Sequence, residues 1–251
     1  MQDFRQILTD DGYSRQEELT FWDCDRSQHV RMAALLSKIA VFAGYHYDAL
    51  GLTHDYLYDH GTVFLLSRIA VRIHRLPRSG DVLTVSTWED GARGAQVQRV
   101  FEMTDQTGRL CVSARSDWTI VDPHTHKILR PSAFTLRPLG TCPMAIDCPE
   151  PKKLVLPREG LEELGQYPVR WSDLDGNGHL FSGNYGDIVW DYLPADLRDR
   201  IPTDFAINYS REAKFGDTLR LCGAAEENGY LMEGIGPHGT CFTARCTFAP
   251  E

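Results

Sequence analysis

Four polar residues recur at every second position in the second half of the chain. Asp173, Asp175, Asn177 and His179 lie in the segment WSDLDGNGHLFSGNYGDIVWDYL, residues 171–193. Alternate positions on an extended segment project to the same side, so carboxylate, amide and imidazole groups can converge there. Groups of these types can activate a water molecule and orient a carbonyl. The spacing therefore predicts an active site that cleaves an activated acyl group.

A helix is predicted directly after this polar segment, and Pro194 ends it. Its apolar positions at helical spacing are Tyr185, Ile188, Val189, Tyr192 and Leu193. The unpaired N–H groups at the start of such a helix would point back toward whatever the polar residues hold.

The first half predicts a buried helix and a sheet around it. Residues 32–44 are apolar nearly all round, which requires burial. A loop rich in His and Tyr follows at residues 52–60, and turn signals then separate several strand-like runs. The predicted strands cover residues 16–21, 62–75, 82–89, 96–103 and 109–121. Together they indicate an α+β unit in which a curved antiparallel sheet wraps one central helix.

The second half repeats the first. FWDCDRSQHV (residues 21–30) aligns without a gap with WSDLDGNGHL (residues 171–180). Further matches pair Ala70, Arg75, Gly80, Asp81 and Leu83 with Ala206, Arg211, Gly216, Asp217 and Leu219. Several matches in one order indicate a duplication. Strands predicted at residues 204–212, 217–225, 229–235 and 240–248 complete the second unit.

Prolines interrupt the segment between the two repeats. We interpret residues 123–166 as a linker, with a helical turn at GLEELG, residues 160–165. The predicted domains are residues 1–122, the linker, and residues 167–251.

Composition and charge narrow the class of protein. The chain has 251 residues and a net charge of −9, which argues against nonspecific nucleic-acid binding. No apolar run has the length that spans a bilayer, and the N-terminus lacks the apolar core of a signal peptide. Seven cysteines without a Cys-x-x-Cys pair favour reduced thiols. We expect a cytoplasmic protein that binds neither nucleic acid nor membrane.

The motif D-L-D-x-N-x-H at residues 173–179, with Tyr185 six positions after the histidine, resembles the signature of the acyl-acyl carrier protein (acyl-ACP) thioesterases. The resemblance extends over essentially the whole chain. It implies a double hotdog fold: two tandem α+β units, each a curved antiparallel sheet around a helix. It also implies hydrolysis of acyl-ACP to free fatty acid in fatty acid biosynthesis, without metal or cofactor. The implied partner is the acyl carrier protein with its phosphopantetheine-linked acyl chain.

The resemblance places all the catalytic residues in the second half, as Asp175, Asn177, His179 and Glu212. We hypothesise that Glu212 is the general base or nucleophile and that His179 and Asn177 orient the thioester and the water. Asp175 would hold the histidine or the asparagine. Backbone amides of the second helix would complete an oxyanion site.

The first half keeps Asp25 and His29 but lacks two of the implied catalytic groups. It has Ser27 where the second half has the asparagine, and Leu76 where it has the glutamate. We therefore predict a structural first half, which by the family resemblance also holds the acyl chain.

Two positions depart from the family pattern. Ala213 follows Glu212 where many plant members have a cysteine, so a cysteine nucleophile is excluded here. Phe181 and Ser182 replace two usual asparagines, and Ser182 is expected to cap the following helix. A further difficulty is that strict alternation from Phe205 puts Glu212 on the face opposite the apolar residues. It would reach the site only across an interface or through a bulge.

Other interpretations stay open. An acyl-CoA thioesterase would act on the same pantetheine thioester, and a noncatalytic acyl-binding protein would keep only the fold. The acidic segment alone also fits a structural turn or, less well, a calcium loop. Arg68, Arg72 and His74 give one strand a basic face, either solvated or a docking surface for the acidic carrier protein. The acyl chain length is not predicted, and both a monomer and a homodimer fit.

Overall fold

The computed structural model of the chain describes residues 5–9, 11–157 and 160–250. It divides into two compact units. The first comprises Met1–Val30 and Lys38–Pro151, and the second comprises Arg31–Ser37 and Lys152–Glu251. The predicted linker contains regular elements and is shared between the units, because residues up to 151 group with the first and later ones with the second.

The first unit is built on an antiparallel sheet. Its strands are β1 (Gln6–Leu8), β2 (Gly12–Glu18), β3 (Val63–Ile73), β4 (Val82–Arg93), β5 (Gln96–Thr104), β6 (Leu110–Val121) and β7 (Ile128–Leu129). They lie in the order β1-β2-β4-β5-β6-β3, with β7 paired to β6. The four predicted strands from residue 62 to 121 are confirmed. The predicted strand at 16–21 is displaced, because β2 ends at Glu18 and a 3₁₀ turn follows at Phe21–Asp23.

The predicted central helix is longer than its apolar run. Helix α1 spans Met32–Ala49, and its apolar face is buried at Leu35, Leu36, Ile39 and Phe42. The predicted loop at residues 52–60 contains a second helix, α2 (His54–Asp59), so that prediction is wrong. Its start is stabilised by Thr53, whose side chain accepts a hydrogen bond from the Tyr56 N–H.

The second unit has a shorter antiparallel sheet. Its strands are β8 (Glu162–Pro168), β9 (Pro202–Tyr209), β10 (Thr218–Glu226), β11 (Gly229–Gly236) and β12 (Gly239–Phe248), in the order β9-β12-β11-β10-β8. Helices α3 (Tyr185–Tyr192) and α4 (Ala195–Arg198) connect β8 to β9. The predicted helical turn at residues 160–165 is wrong, because most of that segment belongs to β8.

Each unit therefore combines helix and antiparallel sheet, as the predicted α+β class requires. Among the helices of the described residues, none is long and apolar enough to cross a membrane.

Candidate active site

The polar segment of the second unit is a tight loop rather than an extended strand. A 3₁₀ turn at Trp171–Asp173 opens it, and the Asp173 carboxylate accepts the Arg170 N–H at 2.8 Å. Leu174 and Leu180 form an isolated antiparallel bridge that closes the loop. The predicted strand alternation is therefore absent, and the hydrogen bonds of a closed turn set the positions of these residues instead.

The Asp175 carboxylate holds the backbone of this loop. Its Oδ1 atom accepts the N–H of Asn177 at 2.9 Å and the N–H of His179 at 3.2 Å. The Asp175 N–H in turn donates to the His179 carbonyl at 2.8 Å. Gly178 has a φ of +76°, a conformation that glycine adopts without a steric penalty. Asp175 therefore positions both Asn177 and His179 through their backbone.

His179 and Glu212 come into direct contact. His179 forms an isolated bridge with Lys214, and the Leu180 N–H donates to the Ala213 carbonyl at 2.8 Å. These backbone contacts bring His179 Nε2 to 3.1 Å from Glu212 Oε2. Lys214 Nζ lies 3.2 Å from the same oxygen. The His179 side chain is 29% exposed and that of Glu212 is 53% exposed, so both are open to solvent.

Glu212 reaches the histidine because strand β9 ends early. The strand stops at Tyr209, and the N–H groups of Ser210 and Arg211 both donate to the Cys241 carbonyl, at 2.8 and 3.4 Å. One carbonyl serving two successive residues breaks the strand alternation. The predicted strand end at residue 212 is therefore wrong, and the difficulty with the orientation of Glu212 disappears.

Asn177 lies on the exposed tip of the loop. Within residues 5–9, 11–157 and 160–250, no hydrogen-bond partner is recorded for its side-chain amide. Of the four predicted site residues, the structure thus brings His179 and Glu212 into side-chain contact. Asp175 joins them through the backbone, and the Asn177 side chain makes no hydrogen bond to any of these three residues.

Helix α3 begins at Tyr185, the first of the apolar positions that predicted it. Its N-cap position is Asn184, whose Nδ2 donates to the Asp173 carbonyl at 3.1 Å. The expected cap by Ser182 is wrong, because the N-cap position lies two residues further along the chain. The Ser182 carbonyl accepts the Tyr209 hydroxyl at 2.9 Å. Tyr185 is buried against the rings of Tyr209 and Phe242. Burial, with smaller contributions from Cys241 and Asp175, raises the pKa of the Tyr185 phenol, which therefore stays protonated.

The first unit contains a loop with the same hydrogen bonds but not all the same residues. Asp25 Oδ1 accepts the N–H groups of Ser27 and His29 at 2.8 and 3.0 Å. Gln28 takes the left-handed conformation of Gly178, with a φ of +63°, and His29 forms a bridge with Arg78 as His179 does with Lys214. Its loop carries Ser27 where the second loop has Asn177.

Three further residues beside the site were missed by the sequence reasoning. Lys214 contacts Glu212, and the rings of Trp171 and Phe215 meet edge to face with centroids 5.9 Å apart. The sequence held a signal for Lys214, because it is a basic residue two positions after Glu212. Within the described residues there is no group of three or more His, Cys, Asp or Glu side chains that could hold a metal ion.

Two family models match the chain. The model of the acyl-ACP thioesterase N-terminal domain matches residues 10–132, and that of the C-terminal domain matches residues 158–234. A relative in sequence is the chloroplastic acyl-[acyl-carrier-protein] hydrolase FATB2 of Cuphea viscosissima, which is 26% identical over 204 residues. That alignment covers 77% of this chain and 48% of the relative, so the chain spans about half of the relative's length.

Two solved structures share the fold. An acyl-ACP thioesterase from Bacteroides thetaiotaomicron has a TM-score of 0.84 at 21% identity, covering 95% of this chain and 98% of that chain. The 12:0-ACP thioesterase from Umbellularia californica has a TM-score of 0.76 at 16% identity, covering 96% and 98%. These likenesses confirm the predicted double hotdog fold. With the family models matching most of its length, the chain belongs to the acyl-ACP thioesterase family.

Proposed function

We propose that this protein hydrolyses acyl-ACP to free fatty acid and carrier protein in the cytoplasm, as a step of fatty acid biosynthesis. The contact between His179 and Glu212, in a loop that Asp175 holds by backbone hydrogen bonds, is the observation that carries the proposal. A solvent-exposed carboxylate beside an imidazole is suited to activating water. The names of the relatives support a carrier-bound acyl group as the substrate.

The two oxygens of Glu212 have different surroundings, which suggests a role for each. Oε2 contacts both His179 and Lys214, whereas Oε1 has no hydrogen-bond or ion-pair partner among the described residues. In the proposed reaction Oε1 accepts a proton from water as the water oxygen bonds to the thioester carbonyl carbon. His179 holds the carboxylate in place and orients the thioester.

The intermediate then carries a negative charge on the former carbonyl oxygen. The Asn177 amide and the first N–H groups of helix α3 are proposed to stabilise this charge. Collapse re-forms the carbonyl and breaks the carbon–sulfur bond, and the departing thiolate takes the proton from Glu212. The products are a carboxylic acid and the free thiol of the carrier arm, and Glu212 is again a carboxylate.

Replacement of the proposed base tests the function. Glu212→Gln preserves size and removes the negative charge, so kcat/KM for acyl-ACP should fall by at least about a hundredfold. Asn177→Ala removes one oxyanion donor and should cost on the order of 3 kcal/mol of transition-state stabilisation. Glu226→Gln is the matched control, because Glu226 pairs with Arg245 on the surface of the same unit. Undiminished hydrolysis by Glu212→Gln would exclude the assignment.

The same assay separates the remaining alternatives. Wild-type kcat/KM is measured on acyl-ACP and on acyl-CoA with the same acyl chain. Higher kcat/KM on acyl-CoA would replace the proposed substrate, and no hydrolysis of either would favour a noncatalytic acyl-binding protein. The first unit, which has Ser27 and Leu76 at the corresponding positions, is proposed to be structural and to hold the acyl chain.

A further inference from the structure

Large aromatic side chains stand exposed beside the candidate site. Trp171 is 77% exposed and Phe215 is 62% exposed, and the two rings contact each other edge to face. Trp171 opens the segment that carries Asp175, Asn177 and His179, and Phe215 directly follows Lys214. We call Trp171 and Phe215 the aromatic pair.

The backbone beneath the aromatic pair is firmly held. The Val169 N–H donates to the Asp217 carbonyl at 2.9 Å, and the Gly216 N–H donates to the Val169 carbonyl at 3.3 Å. Next to these bonds, Thr218 of β10 pairs with Pro168 of β8. The two rings are therefore presented to solvent on turns that directly adjoin the paired strands β8 and β10. Apolar surface held rigidly in this way is available for a partner without loss of backbone freedom.

Three exposed cationic residues flank the aromatic pair in the sequence, and two of them have no carboxylate partner among the described residues. Arg170 and Arg211 are exposed, and neither forms an ion pair with a carboxylate of the described residues. Lys214 contacts Glu212 and is itself 60% exposed. Arginine and tryptophan are the residue types enriched where binding energy concentrates in protein interfaces.

The sequence also offered the basic face of β3 in the first unit as a docking surface. The cationic side chains of that face have partners within the unit. Arg68 pairs with Asp117 at 3.4 Å, and Arg72 pairs with Asp147 at 2.9 Å. His74 Nε2 lies 2.9 Å from the Ser113 hydroxyl. These groups are already neutralised or hydrogen-bonded within the unit, so they offer less to an acidic partner.

We propose that the aromatic pair, with Arg170, Arg211 and Lys214 around it, is the surface on which the acidic carrier protein docks. This inference rests on the proposed function, because the carrier must bring its thioester to His179 and Glu212. The surface of the carrier protein then lies against the rim of that site. Acidic side chains of the carrier meet the arginines of this chain, and an apolar side chain of the carrier meets the two rings.

The test uses the double variant Trp171→Ala/Phe215→Ala and the charge reversal Arg170→Glu in the full chain. Two quantities are measured: the Kd for holo acyl carrier protein, and the ratio of kcat/KM for acyl-ACP to that for the N-acetylcysteamine thioester of the same acid. Each variant should weaken binding and lower the ratio by about tenfold or more. Arg170→Glu should also reduce the dependence of Kd on salt.

The first unit offers a matched control. Phe21 and Trp22 are 70% and 82% exposed and also meet edge to face with centroids 5.9 Å apart, on the equivalent turn. Phe21→Ala/Trp22→Ala should leave both the Kd and the ratio unchanged. An equal effect of the two double variants would show a general loss of apolar surface and would overturn the assignment.

The other outcomes are equally decisive. Unchanged Kd in Trp171→Ala/Phe215→Ala overturns docking, and so does conversion of a dimer to a monomer in this variant, since a second copy would then be the occupant. If the wild type binds the carrier through these residues but does not hydrolyse acyl-ACP, docking stands and the proposed function fails. If it hydrolyses acyl-ACP and the variants bind normally, the proposed function stands and docking fails.

Discussion

The Asp175 carboxylate shapes the loop that presents the candidate catalytic groups. It accepts hydrogen bonds from the backbone N–H groups of Asn177 and His179. Asp25 accepts the equivalent two bonds from the backbone in the first unit. An aspartate bound to its own backbone in this way is typical of turns. The hydrogen bonds of Asp175 therefore agree with the interpretation of this segment as a structural turn. Any role of the loop in catalysis depends on the side chains of Asn177 and His179.

Because the first unit has an equivalent residue, Asp25, the effects of Asp175 on stability and on catalysis can be measured separately. Asp175→Ala and Asp25→Ala each remove two hydrogen bonds to a charged acceptor, so each should lower the free energy of unfolding by about 1–2 kcal/mol. Only Asp175→Ala should also lower kcat for acyl-ACP, because only its loop carries Asn177 and the histidine paired with Glu212. Urea unfolding and steady-state kinetics on both variants measure the two effects.

Asp175→Asn refines this comparison, because its amide oxygen can still accept a backbone hydrogen bond. It should retain more activity than Asp175→Ala. If Asp175→Asn is as inactive as Asp175→Ala while its stability is normal, the carboxylate itself takes part in the reaction and the positioning role is wrong.

Among the elements of the fold, β9 decides by its early end whether His179 and Glu212 can meet. Strand periodicity extended over residues 204–212 placed Glu212 on the wrong face, and only the shared Cys241 carbonyl reveals the break. Such a break depends on how β9 pairs with the distant strand β12, which no local pattern encodes. By contrast, α3 was well predicted, because its apolar spacing and Pro194 are local signals.

A buried charged cluster joins three elements and one loop of the first unit. Glu89 of β4 is fully buried and accepts the Tyr47 hydroxyl of α1 at 2.7 Å. Arg137 donates to both of its oxygens at 2.8 Å, and Arg99 Nη2 of β5 lies 3.6 Å from Oε1. Burial raises the pKa of a carboxyl, but Arg99, the Gly140 N–H, Tyr47 and Arg137 outweigh it and hold the pKa of Glu89 below its ordinary value.

Removal of the Glu89 charge should destabilise the protein strongly. Glu89→Gln would leave the buried Arg99 guanidinium without its counter-charge, which costs about 3–5 kcal/mol in comparable buried pairs. Glu150→Gln, which removes a partly exposed partner of Arg93 and Arg115, should cost less than about 1 kcal/mol. Thermal or urea unfolding of both variants measures the difference. A loss of less than 1 kcal/mol in Glu89→Gln would contradict the assigned role of the cluster.

Across the whole molecule, the duplication was the most reliable signal in the sequence. The repeat aligns Asp25 with Asp175 and His29 with His179 without a gap. In the structure these residues lie in two loops with the same hydrogen bonds, because the bonds of each aspartate stay within its own loop. The buried contacts of Tyr47 and Glu89 carried no such signal, since they join residues far apart in the chain. The structure adds that a similar turn is built twice, whereas the contact between histidine and glutamate occurs in the second unit.

The acid stability of the molecule depends on a buried histidine in the same charged cluster. His46 Nδ1 lies 3.1 Å from Arg99 Nη1, a donor, so its Nε2–H is left to donate to the Thr9 carbonyl at 3.3 Å. This arrangement needs the neutral imidazole, because a proton on Nδ1 would face the guanidinium. Burial and the charge of Arg99 lower the pKa of His46 from 6.5 to about 4, although Glu89 acts in the opposite direction.

This histidine should make the folded protein less stable as the pH falls from about 6.5 to about 4. The imidazole of His46 takes up a proton near pH 6.5 in the unfolded chain but only near pH 4 in the native state. Each unit by which the pH falls within that window therefore favours unfolding. The full shift corresponds to about 3 kcal/mol. His46→Gln can keep both hydrogen bonds without titrating, so urea unfolding across this window should show a flatter dependence on pH. His54→Gln, at an exposed position, should keep the wild-type slope, and an equal slope in all three proteins would rule out His46 as the source.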